Sequence, residues 1–257
     1  MSRTLHAEWT KFRTVTSTGW LLLAAVVLTV GLSAAVCAAV SAGGGPGQDP
    51  PKLSLTGIDL GQAVVAILAV LALSGEYGSG LIHITLAAMP GRPAVLAAKA
   101  ALVGGLALAA GVVAVGGSLL AGRLLLPGHG FIPAHGYALL SLADAPTLRA
   151  AAGSVLYLAL IALLSLGIAA IVRDAAAAVG VVLGLLYLFP IFASLVGNQT
   201  WQRHLQQIGP MSAGLAIQST TDLASLPVRP WVGLGIVAAW AAAALLLGGL
   251  LLCWRDA

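Results

Sequence analysis

Charged residues are the scarcest class in this sequence: Asp, Glu, Lys and Arg together make up 8% of its 257 residues, whereas an ordinary globular domain has about 25%. Aromatic residues are also few, at 5%, and there are only two cysteines. Hydrophobic residues make up 60% of the chain, and its mean hydropathy is +1.02. A soluble fold could not bury that much apolar surface, so the composition indicates a helical membrane protein.

The sparse charges are segregated and leave apolar runs about as long as the roughly 20 residues that cross a bilayer as a helix. The second run is short for a bilayer, and the third is long enough to tilt or to extend into water. The six predicted spans are 19–41, 58–74, 94–122, 150–172, 175–196 and 231–253. We therefore expect an all-α membrane protein with a single transmembrane domain over residues 1–257 and both termini on one side.

Lysine and arginine near the span ends predict the orientation, because such residues are retained in the cytoplasm. Arg3, Lys11 and Arg13 precede the first span, and only Lys52 follows it before the second. We therefore expect both termini, and the segment between the second and third spans, to be cytoplasmic. The net charge of +4 is explained by anionic lipid headgroups and requires no nucleic-acid partner.

Residues 1–18 have the pattern of an amphipathic helix lying on the inner leaflet. Apolar and charged residues fall on different faces at helical spacing, and the two sets are Leu5, Trp9, Phe12 and Glu8, Lys11, Arg13. The basic residues alone could serve only to set the topology. Alternatively, this interfacial helix also touches a cytoplasmic partner.

Motifs for catalysis are missing from the sequence. It contains no H-E-x-x-H, no cysteine pair at zinc spacing and no lysine in the pattern G-x-x-x-x-G-K-[ST]. His129 and His135 flank an outer loop, where a solvated turn is favoured over a weak metal site. We therefore predict that this chain is not an enzyme and binds no cofactor or metal, so that any ATP hydrolysis occurs on a separate polypeptide.

Charged residues also avoid the middle of every predicted span, whereas ion-coupled carriers bury ionisable groups there. This pattern disfavours ion coupling.

Cys37 and Cys253 fall near opposite faces of the bilayer, about 30 Å apart. This separation excludes a disulfide between them, and we predict that both are small packing residues.

Residues 75–93 form a polar, turn-rich interruption between two long apolar runs, which we name the coupling segment. A short helical pattern begins at Glu76, and the turn around Pro90 ends it. One helical face is apolar and the other is small and polar, and the two sets are Tyr77, Leu81, Ile84, Ala88 and Glu76, Ser79, Gly80, His83. Simpler roles are also open: Glu76 could cap a helix or pair with Arg92, while Arg92 and Lys99 could snorkel to headgroups.

This pattern resembles the first cytoplasmic segment of the ABC-2 type transporter permeases. The residues that support the resemblance are Glu76-Tyr77, Gly80, Thr85-Leu86-Ala87, Pro90, Arg92 and Lys99. The helix that contains Glu8, Trp9, Lys11 and Arg13 agrees with this family, as do the six spans and the residues 209–214 before the last span. His83 departs from the family, which more often has a basic residue at that position.

The resemblance implies a half-transporter in a bacterial plasma membrane. A second permease chain, most simply in a homodimer, would complete the pathway, and a separate ABC ATPase with bound ATP and Mg would dock beneath it. The implied contacts to that ATPase are Glu76, Tyr77, Gly80, His83 and Arg92. The implied activity is export of a hydrophobic or amphipathic compound, such as a drug, an antibiotic, a peptide or a lipid-linked molecule.

Two further sequence patterns concern helix packing and the segment before the last span. Gly180 and Gly184 form a G-x-x-x-G pair that could pack helices within one chain or between two protomers, and we expect the contact within the chain. Residues 197–230 are too long for a turn, and the spacing of Trp201, Leu205 and Ile208 predicts short interfacial or re-entrant helices that cap or gate the outer side. The rival functions are an ion-coupled carrier or channel, and a non-transporting immunity or assembly protein.

Overall fold

The computed structural model describes residues 16–42, 48–78, 92–137 and 140–254. Within these ranges the chain is helical and contains no β-strand. Short 3-10 turns occupy Leu126–His129, Pro133–His135 and Ala216–Gln218, and one π-helical turn occupies Gly184–Leu188. The α-helices are α1 (Thr16–Ala39), α2 (Pro50–Ser54), α3 (Ile58–Gly78), α4 (Arg92–Leu125), α5 (Ala145–Val172), α6 (Ala175–Leu183), α7 (Phe189–Leu195), α8 (Gln199–Ile208), α9 (Pro210–Leu215) and α10 (Pro230–Trp254).

Six helical segments of the described chain are long and apolar enough to cross a membrane: α1, α3, α4, α5, the continuous pair α6–α7, and α10. The predicted all-α fold with six spans is confirmed, and the chain is a multi-pass integral membrane protein. The fourth span begins at Ala145 rather than at residue 150. The reason is local, because a proline in the first turn is pre-organised for a helix start.

The bundle has two distinct ends. The loop end is formed by residues 48–57, 126–137, 140–144 and 196–229, and side-chain hydrogen bonds join its parts, as between Asp49 and Thr220. The turn end is formed by the start of α1, residues 173–174 and the end of α10, where the Arg173 guanidinium donates to the Leu251 carbonyl at 3.1 Å. Alternation of the six spans therefore brings the junctions of α3 and α4 with the coupling segment to the turn end.

Helix α5 is the centre of the bundle. It packs against α3, α4, α6 and α10, and its contact with α10 is the most extensive between the described helices. Small residues allow this close approach, because a methyl group built onto Gly167 would lie 2.6 Å from the Ala244 carbonyl carbon. Gly248 similarly faces the Ala170 side chain.

Helix α1 packs on α3 and α4 at the edge of the bundle. Gly57 and Gly61 press directly against Thr29, so no side chain fits at either glycine. The Gly57 backbone N–H donates to the Ser33 hydroxyl at 3.1 Å. These contacts fix the crossing point of α1 over the start of α3.

The predicted short helices before the last span are confirmed as α8 and α9. Helix α9 packs into the bundle between α5 and α10: Gly214 abuts Tyr157 and Val237, and Gly233 abuts the Ala213 backbone. The following Ile217 fills the space above Gly153 of α5. Helix α8, by contrast, has no buried residue.

Two packing predictions are corrected. A methyl group on Gly180 would meet nothing within 4 Å, and one on Gly184 would meet only Leu188 of its own segment. The predicted intrachain seam at this pair is therefore wrong, because this face of α6 points away from the bundle. Cys37 is buried as predicted, but Cys253 is exposed, and neither cysteine forms a disulfide.

Candidate functional site

Most of the predicted coupling segment lies outside the described residues. Gly80 and His83 fall there, as do residues 79–91 in general. Glu76 and Tyr77 belong to the last turn of α3, and Arg92 is the first residue of α4. Their role in coupling stays a prediction. Glu8, Trp9, Lys11 and Arg13 of the predicted N-terminal helix also lie outside the described residues.

The environment of Lys99 differs from the predicted one. It lies seven residues into α4, about 10 Å along the helix axis, and its side chain is only 1% exposed. The simpler interpretation, that Lys99 snorkels to lipid headgroups, is therefore wrong. An ionisable residue enclosed by protein within a spanning helix marks a functional position in most membrane proteins.

Polar side chains from three helices meet near the start of α3. The Tyr157 hydroxyl of α5 donates to the Gln62 side-chain carbonyl, and the Tyr187 hydroxyl donates to the Asp59 backbone carbonyl. The Gln62 amide donates to that same carbonyl at 3.2 Å. Gln62 and Tyr157 are fully buried. This network ties α3 to α5 and to the segment α6–α7 through uncharged hydrogen bonds, which suit an apolar surrounding.

Tyr187 belongs to the π-helical turn that joins α6 to α7. A π-helical turn is uncommon and is often found at functional positions, and Pro190 directly after it also prevents regular helical bonding. The Tyr187 bond to Asp59 therefore attaches the irregular part of the fifth span to the third helix. The sequence G-L-L-Y-L-F-P offered one signal for this irregularity, namely its proline.

A single carboxylate joins two separate loops at the loop end. Asp49 accepts from the Thr220 backbone N–H at 2.5 Å, from the Thr220 hydroxyl at 2.6 Å and from the Thr221 N–H at 3.1 Å. It also caps α2 by accepting from the Lys52 N–H at 3.3 Å. We name this set of contacts the loop latch. Such charge-assisted bonds are stronger than neutral ones.

The same loop is attached to α5 by Arg149. Its guanidinium donates to the Ser219 carbonyl at 2.7 Å. Residues 217–221 therefore contact α5 through Ile217 and Arg149, and contact α2 through Asp49. The loop latch and Arg149 together hold the α9 segment inside the loop end.

His129 and His135 each end a 3-10 turn in the loop between α4 and α5. His135 Nδ1 lies 2.8 Å from the Gly130 carbonyl oxygen, and Gly130 adopts a left-handed conformation with φ of 92°. No group of three potential metal ligands occurs in the described ranges. The expectation that this chain is not an enzyme stays a prediction.

Sequence reasoning missed Asp49, Gln62, Tyr157 and Tyr187. A signal was present for three of them, because a lone amide and two phenols stand inside otherwise apolar spans. Such groups require partners in the membrane, so each of them predicts a contact with another helix. Asp49 carried no comparable signal, since an aspartate before two prolines is typical of an ordinary helix N-terminus.

Comparison with known proteins adds no assignment, because no protein-family model matches the chain and no protein of curated function matches it in sequence. The functional interpretation therefore depends on the bundle and its residues alone.

Proposed function

We propose that this chain is the permease subunit of an ATP-binding-cassette exporter, with ATP and Mg bound by a separate ATPase subunit. The observation that supports it best is the six-span bundle whose polar coupling segment joins α3 and α4 at the turn end. An ATPase docked there would push on α3 and α4 together. Through Gln62 and Asp59, α3 is hydrogen-bonded to α5 and to the π-helical turn.

The proposed assembly contains two copies of the chain in a bacterial plasma membrane. Spans α1 and α6–α7 have the smallest buried shares, 22% and 17%. Small residues promote helix contacts in membranes, and Gly180 and Gly184 lie on this uncovered fifth span. A second copy would cover part of this surface. The pathway between the copies would suit a hydrophobic or amphipathic compound.

The α9 segment would act as the outer gate of this exporter. It inserts between α5 and α10, and the loop latch holds it there. Release of Asp49 from Thr220 and Thr221 would free the segment from α2 without breaking any span.

Co-purification tests the proposal. The tagged chain is expressed with any ABC ATPase that a neighbouring gene encodes, as wild type and as Glu76→Ala and Arg92→Ala, with Arg203→Ala at the loop end as matched control. We expect each coupling variant to retain about tenfold less ATPase, as for a loss of about 1.4 kcal/mol, and to lose ATP-driven export. Full retention and full transport in both variants would contradict the assignment, as would an equal loss in Arg203→Ala.

Orientation is tested with the same preparation. Cys253 is exposed at the turn end and Cys37 is buried, so a membrane-impermeant maleimide reports on Cys253 alone. We expect labelling in inside-out vesicles and not in intact cells. The reverse pattern would place the coupling segment outside and contradict docking of a cytoplasmic ATPase.

An ion-coupled carrier is the second candidate, and buried Lys99 favours it. Purified chain in liposomes would then accumulate substrate on a proton or sodium gradient without any ATPase, and Lys99→Met would abolish that uptake. Gradient-driven uptake in the absence of ATPase would replace the exporter proposal.

A further inference from the structure

A cavity of about 110 Å³ lies at the loop end, between the last turns of α4 and the start of α5. Four leucine side chains form half of its wall. The polar residues of the wall are Arg123, Ser141 and Thr147. The cavity has room for a group several times larger than a water molecule, which occupies about 30 Å³ in the liquid.

The polar part of the wall consists of hydrogen-bond donors. Arg123 makes no hydrogen bond or ion pair to any residue within the described ranges, so its guanidinium is available to a ligand. Thr147 is only 6% exposed, and its hydroxyl likewise has no partner among those residues. Thr147 lines the cavity, so its hydroxyl is available to a ligand there.

Thr147 is also the third residue of α5, a helix of 28 residues. The first N–H groups of a helix lack intrahelical acceptors, and the aligned peptide dipoles make that end electropositive. The N-cap residue Asp144 makes no side-chain capping bond, and its exposed carboxylate does not line the cavity. A positive helix end and a guanidinium therefore face the same cavity.

The cavity opens onto an exposed apolar face of α4, where Gly116 leaves a depression that we name the Gly116 groove. Val112 and Leu120 are exposed on this face, and Gly116 lies between them at a spacing of four residues. A methyl group on Gly116 would meet nothing within 4 Å. The missing side chain leaves a depression on a surface that faces lipid in a spanning helix.

We infer that this cavity binds the phosphate of a glycerophospholipid, with one acyl chain in the Gly116 groove. Arg123 and the α5 N-terminus supply positive charge for the phosphate, while Thr147 supplies a neutral donor. The leucine wall and the groove supply the apolar contact that free phosphate would not use. We name this the Arg123 lipid site; it does not depend on the proposed transport function.

Native mass spectrometry of the detergent-purified chain tests the site with phosphatidylglycerol, diacylglycerol and inorganic phosphate as probes. We expect phosphatidylglycerol to bind at least about tenfold more tightly than diacylglycerol, the difference expected for one charge-assisted contact of about 1.4 kcal/mol or more. Arg123→Gln should remove that difference. Arg203→Gln, which neutralises an exposed arginine at the same end, should leave it unchanged.

A second pair of variants tests the groove without touching a charge. Gly116→Leu places a side chain where the acyl chain would lie, and Gly180→Leu makes the same change at another open glycine. We expect weaker binding of phosphatidylglycerol only for Gly116→Leu, with elution volume and melting temperature unchanged in both. Equal binding by Gly116→Leu and Gly180→Leu would overturn the lipid site. Tight binding of inorganic phosphate alone, or equal losses in both arginine variants, would overturn it as well.

Discussion

Helix α5 and the segment α6–α7 have similar hydropathy and are joined by a short turn at residues 173–174. Yet α5 lies at the centre of the bundle, whereas α6–α7 lies at its periphery. The most apolar part of α5 is 67% buried within the protein, whereas that of the fifth span is 17% buried. Insertion into a membrane depends on hydropathy. Position within the bundle depends on which residues let another backbone come close.

Glycine and alanine account for much of this difference. Gly153 lies under Ile217, and Gly167 lies against the Ala244 backbone, so α5 is covered at both its ends. Gly180 has the same chemistry, but a methyl group built there would meet nothing within 4 Å in the described part of the chain. Small residues promote helix contact, but a contact forms only where another segment of the chain lies opposite them at the same level along the helix axis.

The largest expected effect comes from filling one of the covered glycines. Gly167→Leu would force α10 away from α5, because even a methyl group there would lie 2.6 Å from the Ala244 carbonyl carbon. We expect a loss of about 3 kcal/mol or more of stability, the upper part of the range for overpacking. Thermal unfolding in detergent, followed by size-exclusion chromatography, measures it.

Gly180→Leu is the matched control for this change. Its stability should stay within about 0.5 kcal/mol of wild type, as for most surface substitutions. If both variants were equally stable, close packing of α5 on α10 would not explain the central position of α5.

The second expected effect concerns the segment that covers the loop end of α5. Asp49→Ala removes the acceptor for Thr220 and Thr221, and we expect a loss of about 2 kcal/mol. Hydrogen exchange should rise in residues 216–222 and at the first turns of α5. Asp144→Ala, which removes a carboxylate without a capping bond, should leave exchange in both regions unchanged, and an equal rise there would contradict a specific role of the loop latch.

The smallest expected effects distinguish the two tyrosines of the polar network. Tyr157→Phe leaves the buried Gln62 carbonyl without its donor, and we expect a loss of about 1 kcal/mol, near the middle of measured values for such bonds in membranes. Tyr187→Phe should cost less, because the Asp59 carbonyl still accepts from the Gln62 amide at 3.2 Å. Chemical unfolding in mixed micelles compares them, and a larger cost for Tyr187→Phe would show that the fifth span is held more firmly than its exposure indicates.

Much of the fold could be predicted from particular residues. The apolar run between Arg149 and Arg173 is too long for anything but a span, and Pro210 after Ile208 separates two short helices. The helix pairing could not be predicted, because Gly167 and Gly180 look alike in sequence and differ only in what lies opposite. The loop latch was equally hidden, since Asp49 and Thr220 are separated by 171 residues.

The sequence by itself determined that this protein is an all-helical membrane protein with six spans, because scarce and segregated charge permits no other stable arrangement in water or lipid. Tertiary structure alone decided that α5 is central, that α9 lies inside the loop end, that Lys99 is enclosed by protein, and that Arg123 faces a cavity beside the α5 N-terminus. Those features depend on contacts between distant residues. Helix packing in a membrane depends on local shape and hydrogen bonds rather than on hydropathy, which all six spans share.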